Sequence, residues 1–205
     1  METDTFLKRF TLTAGEAWAV YDLVKSGVNQ PDEPQAPRWM LPVGYDPKYP
    51  INAWYIAVWH DLTGRRNDGY VHTGVDINLD RGGRGDVERR ENQTVHACAR
   101  GEVVYATANW YGVPMVVIEH TFSGAPLYTR YAHIVPVVGE GDVVEPGRLL
   151  GTFANWRTGD HLHLDMTRTP YTTGWITPGA VDPLEVFAQA GIEQSDIDAM
   201  ARTGD

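Results

Sequence analysis

The sequence predicts a mainly β domain built from antiparallel strands. Composition is the first observation: Gly and Pro are plentiful, with 21 and 13 copies, and the aromatics are mostly Tyr and Trp. That mix favours a loop-rich β domain over a helix bundle. The second is pattern: from residue 39 onward, short apolar runs alternate with clusters of Gly, Pro, Asn and Asp. The runs cover 53–59, 74–78, 94–97, 101–107, 114–120, 127–133, 148–153 and 161–166. Their close, mostly hairpin-length spacings point to antiparallel pairing.

Before these runs, Thr13-Ala14-Gly15-Glu16 fits a capping box, and 17–25 is rich in helix formers ahead of Gly27. Residues 29–38 are rich in Pro and polar side chains and read as a linker. Residues 1–38 are therefore expected to be a helical appendage, 39–191 the main domain and 192–205 a tail. At the far end, Asp182, Pro183 and Glu185 supply an N-cap, an N1 proline and an N3 acid. A short helix to Ala190 should follow, stopped by Gly191, with another turn or two over 195–201. The charged, Gly-rich stretch 81–92 reads as a surface loop. It contains Arg84-Gly85-Asp86, a tripeptide common enough by chance to carry no function.

The chain has 205 residues, enough for one domain with a sizeable core. Its formal net charge of -10 argues against nucleic acid or an anionic membrane as a partner. No apolar run approaches the ~20 residues of a membrane-spanning helix, and residues 1–10 lack the apolar core of a secretory signal. The single cysteine, Cys98, forms no internal disulfide and sits in an apolar run, as a packing residue would.

The chemistry is expected around the histidines. His161-Leu162-His163 lies in an alternating run, so both imidazoles project from one face of a strand. His72-Thr73-Gly74-Val75-Asp76 contains a poor helix segment. Read as extended chain, it places His72, Gly74 and Asp76 on one face, with Gly74 leaving open space between the other two. His72, Asp76 and one histidine of the 161/163 pair would offer zinc two nitrogens and an oxygen and leave a fourth position for water. The spare histidine would be near enough to handle protons. Asp165 shares the face of the two histidines; fixing an imidazole tautomer and standing at the surface are both open to it.

These residues resemble a known family, the lysostaphin-type zinc metallopeptidases, which cut peptide cross-links or stems in bacterial peptidoglycan. His72-Thr73-Gly74-Val75-Asp76 resembles that family's His-x-Gly-x-Asp signature, and His161-Leu162-His163 its His-x-His. Gly101-Glu102-Val103, Tyr131-Ala132-His133-Ile134, Gly141-Asp142-Val143 with Leu150-Gly151, and Val181-Asp182-Pro183-Leu184 resemble further segments in the same order. The similarity runs over about 39–187.

The resemblance implies an antiparallel β-sheet sandwich or open barrel with an N-terminal helix and a short C-terminal helix. It implies Zn2+ held by His72, Asp76 and His163. It makes His161 and His133 the catalytic histidines, which activate water and stabilise an oxyanion. His120 matches a structural position, and His60 and His96 are read as structural or surface residues. The partner implied is peptidoglycan, acted on by a monomer. The lack of a recognisable signal, anchor or wall-binding repeat leads to the expectation of a phage endolysin or virion-borne lysin, with a non-classically exported bacterial enzyme as the alternative. The alternative is a non-catalytic wall-binding or activator module on the same scaffold, though such relatives typically lose metal ligands. A cupin-type barrel would need a further histidine after His163, and none follows. Four departures concern substrate choice: the short loop 155–160, the charged loop 81–92, Tyr111-Gly112-Val113-Pro114 without the common Gly-Asn, and the absence of a Tyr at the expected spacing from His72, Tyr70 being the nearest.

Overall fold

The computed structural model describes residues 39–45, 47, 50–63, 71–79, 93–110, 113–154, 161–170 and 179–201. The chain divides into two units, Met1–Ala36 and Pro37–Asp205, and every described residue belongs to the second. The expected N-terminal helix and linker, the loops 81–92 and 155–160, and Tyr70 lie outside the described residues.

Eleven strands are described: β1 (Trp54–Val58), β2 (Gly74–Leu79), β3 (Thr94–His96), β4 (Gly101–Trp110), β5 (Val113–Phe122), β6 (Ala125–Ala132), β7 (Ile134–Pro136), β8 (Val143–Val144), β9 (Leu149–Phe153), β10 (Leu162–Thr167) and β11 (Ala180–Val181). Each of the eight expected runs overlaps a strand. The short strands β7, β8 and β11 had no signal, because two or three residues are too few to show alternation.

The larger sheet runs β1-β2-β10-β6-β5-β4-β8, with β11 also paired to β10; the smaller runs β3-β9-β7. All the pairings are antiparallel. The larger sheet is open, with β1 and β8 at its ends, and no closed barrel forms among the described residues. Consecutive strands pair from β4 to β6, as hairpin spacing predicts. β10 departs from that rule by wedging between β2 and β6.

One core joins both sheets and the helices. Val75, Ile77, Val116, Ile118, Tyr131, Leu162 and Leu164 of the larger sheet meet Val95, Ile134, Leu150 and Phe153 of the smaller. Helix α1 (Pro183–Gln189) adds Val186 and Phe187, and α2 (Gln194–Met200) adds Ile197 and Met200. The α1 caps match the sequence: Asp182 accepts from the Leu184 N–H at 2.9 Å, Pro183 opens the helix, and Gly191 takes a left-handed φ of 83° just past its end. Cys98 is buried, as expected.

A second, smaller cluster of Val113, Met115, Val117, Tyr128 and Ala132 lies on the other face of the larger sheet. Alternation explains the split: Val116 and Ile118 face the main core, so Val117 faces away. The same parity turns Leu162 and Leu164 to the core and His163 and Asp165 to the far face.

Gly74 decides whether β10 fits. It sits opposite Asp165 in the β2–β10 register. A Cβ built on it would lie 2.3 Å from the Leu164 carbonyl oxygen and 2.8 Å from the Asp165 Cβ. The expected open space does not exist; β10 fills it. Gly74→Ala should therefore cost about 1–3 kcal/mol, the usual penalty of overpacking. Chemical denaturation followed by circular dichroism checks this, and an unchanged midpoint would contradict the close approach.

Candidate active site

The site assembles at the point where β2, β10 and β6 lie side by side. His163 is paired with Asp76 on one side and with Ala132 on the other. Directly opposed residues of an antiparallel ladder share a face, so Asp76 and His163 project together. His72 precedes β2 and is held by the segment after β1: the His72 N–H donates to the Asp61 carbonyl and the Asp61 N–H to the His72 carbonyl, both at 2.8 Å. His161 immediately precedes β10, and His133 follows the end of β6.

Three ligand atoms converge. The Asp76 Oδ1 lies 3.1 Å from the His72 Nε2 and 2.9 Å from the His163 Nδ1. The two imidazole nitrogens are 3.1 Å apart. A tetrahedral ion with bonds of about 2.0–2.1 Å separates its ligands by roughly 3.3 Å. Among the described residues this trio is the one His/Asp/Glu/Cys group close enough to hold a metal.

The outward nitrogens strengthen the fit. The His72 Nδ1 is 3.0 Å from the Trp59 carbonyl oxygen, which only accepts, so Nδ1 carries the proton and Nε2 offers a lone pair. The His163 Nε2 faces the Asp165 Oδ2 at 3.3 Å and likewise carries the proton, leaving the Nδ1 lone pair inward. Two lone pairs and a carboxylate oxygen then point at one place, an arrangement that requires a cation. The donor set of two imidazoles and a carboxylate suits zinc.

Without a metal, a proton takes that role. Burial opposes charge on His163, but hydrogen bonds to Asp165 and Asp76 outweigh it and raise its pKa to about 9. Burial likewise favours neutral Asp76, and the hydrogen bond and charge of protonated His163 overcome it, lowering its pKa.

The remaining two histidines close the group. The His161 Nε2 is 3.7 Å from the Asp76 Oδ1. The His133 ring lies over that of His161, centroids 4.5 Å apart. Burial, then the charges of His161 and His163, depress the pKa of His133 to about 3. It is neutral at physiological pH. The structure thus brings together all five residues singled out in the sequence. His120 stays apart, bonded to the Arg100 carbonyl at 2.9 Å and the Thr129 hydroxyl at 2.7 Å. His96 packs on the Tyr45 ring, 4.4 Å between centroids, and His60 is half-buried after β1.

Two contributors were not anticipated. Asp165 is fully buried, which removes the surface reading, and it is paired with buried Arg130 on β6. Arg130 was legible in principle as a lone cation in a run that otherwise reads as buried strand. The Trp59 carbonyl was not, because a backbone acceptor leaves no mark on the residue type.

This fold and this His/Asp/His centre match those of the lysostaphin-type metallopeptidase family. The profile of peptidase family M23 matches residues 70–175, just over half of the chain. The chain belongs to that family. No curated protein matches its sequence. Among solved structures, the solution structure of lysostaphin is 20% identical, with a TM-score of 0.54 over 76% of this chain and 58% of that one. The catalytic domain of lysostaphin from Staphylococcus simulans is 21% identical, with a TM-score of 0.50 over 67% of this chain and 95% of that domain. At these identities the likeness is one of fold, and the chain spans less than two thirds of the full lysostaphin chain.

The raised His163 pKa has a sign that can be checked. A histidine favoured as its cation in the folded state stabilises below its unfolded pKa, and that contribution is lost as pH rises through the folded value. The metal-free protein should therefore lose melting temperature between pH 6.5 and about 9. In the same window zinc should displace about one proton per chain. Titration calorimetry in buffers of different ionisation enthalpy measures that release; none would contradict this protonation state.

Proposed function

We propose that this chain is a zinc-dependent endopeptidase that hydrolyses peptide bonds in bacterial peptidoglycan. One observation carries the reading: two imidazole lone pairs and the Asp76 carboxylate meet within 3.1 Å, with each ring's outward N–H already committed. Membership of peptidase family M23 supports it, as does the presence of both accessory histidines. A binding module would need none of this.

His72, Asp76 and His163 would hold the ion. Zinc, when bound, supplies Lewis acidity that activates water and polarises a peptide carbonyl. His161, beside Asp76 and partly exposed, would take a proton from the attacking water and return it to the leaving amine. His133, kept neutral, donates an N–H toward the oxygen of the tetrahedral intermediate, where negative charge develops. The buried surroundings strengthen that bond, since charge is poorly screened there. The setting proposed with it is that of a phage-borne or virion-borne lysin.

Chelation should abolish lysis of purified sacculi and added zinc should restore it. His161→Ala should keep its zinc, measured by atomic absorption, yet lose about 10²–10⁴ in turnover. Mass spectrometry of the released muropeptides identifies the bond. Cut cross-links on intact glycan strands are expected; free stem peptides would indicate an amidase, and lysis unaffected by chelator would overturn the zinc mechanism.

A further inference from the structure

We infer that Arg130 is a positioning residue for the metal centre, acting through Asp165 to fix the ring of His163. The inference rests on the zinc reading above and names a part of the site that touches neither metal nor substrate.

Arg130 and Asp165 are direct cross-strand partners on β6 and β10. Both are buried, on the face that carries His163. The Arg130 Nε donates to the Asp165 Oδ2 at 2.9 Å, and its Nη2 donates to the same oxygen. That oxygen is also the one 3.3 Å from the His163 Nε2, and the Thr73 hydroxyl approaches it from the residue before β2 at 3.5 Å. Three side chains from three neighbouring segments thus meet on one carboxylate oxygen.

A buried ion pair is a poor source of stability, since desolvation offsets most of the attraction and an apolar pair of similar volume often does better. What this pair provides is direction. A carboxylate reached by a hydrogen bond from one flexible ring is free to turn about its own χ angles. The planar guanidinium, with two donors on one oxygen, removes that freedom. The oxygen is held beside Nε2, Nε2 keeps its proton, and Nδ1 stays turned toward His72 and Asp76. β6 therefore contributes twice to the site, through His133 at its end and through Arg130 three residues earlier.

The test measures metal binding rather than turnover. Zinc affinity is determined by competition with a chromophoric chelator, and ligand geometry from the visible spectrum of the cobalt-substituted protein. The variants are Arg130→Gln, Arg130→Lys, Asp165→Asn and the double Arg130→Gln/Asp165→Asn. Arg130→Gln should bind zinc about 10- to 100-fold more weakly, as expected for a partner of a ligand, with an altered cobalt spectrum, and Arg130→Lys should recover part of the loss. The double variant should be no weaker than Asp165→Asn, because Arg130 acts only through that carboxylate. Wild-type affinity and spectrum in Arg130→Gln would overturn the inference, as would losses that multiply in the double variant. Should Arg130→Gln not fold, the double variant leaves no buried charge unpaired, and its comparison with Asp165→Asn decides: equal affinity supports the inference, and a further tenfold loss overturns it. A wild-type chain that takes up no zinc would overturn the metal reading itself, a result distinct from an intact site indifferent to Arg130.

Discussion

β10 holds its place because Gly74 has no side chain. The strand is buried along its whole length and pairs with β2 on one side and β6 on the other. Any Cβ at position 74 would collide with the Leu164 carbonyl. The chemistry follows from that contact: it sets the register that puts His163 opposite Asp76, and Asp165 between Gly74 and Arg130. The site is a property of three adjacent strands, and Gly74 lets them lie adjacent.

Charge balance then explains why the centre asks for a cation. Asp76 and Asp165 bring two negative charges and Arg130 one positive charge to the same region of one sheet face. Neutral imidazoles leave the group one positive charge short, and buried charge imbalance is costly. A proton on His163 balances the group in the metal-free protein; a divalent ion at the convergent atoms would replace that proton and leave the group at net +1. Arg130 keeps the two carboxylates from competing, since it neutralises the outer one and leaves Asp76 for the trio.

The backbone at His133 belongs to the same design. Its φ of 66° is left-handed, a conformation that non-glycine residues adopt at a cost of about 1–2 kcal/mol. Two hydrogen bonds hold it there: its own N–H donates to the Pro114 carbonyl at 2.9 Å, and the Ala154 N–H donates to its carbonyl at 2.8 Å. They tie the end of β6 to β5 and to the residue after β9. Such strain concentrates where a side chain must be aimed, and here the reversed backbone sets the ring of His133 over that of His161.

By itself the sequence determined eight of the strands, the capped helix α1 and four of the five clustered residues, while His133 entered only through the resemblance to the family. Those signals are local: alternation, Asp182-Pro183 capping, and the short His-x-His and His-x-Gly-x-Asp spacings along extended chain. The tertiary structure decided which strands became neighbours, because pairing across 91 residues, as between His72 and His163, leaves no periodicity to read. It also decided what Gly74 is for, a close contact rather than a gap, and that Asp165 is buried against Arg130. Both answers depend on β10 lying between β2 and β6, and no stretch of sequence carries that fact alone.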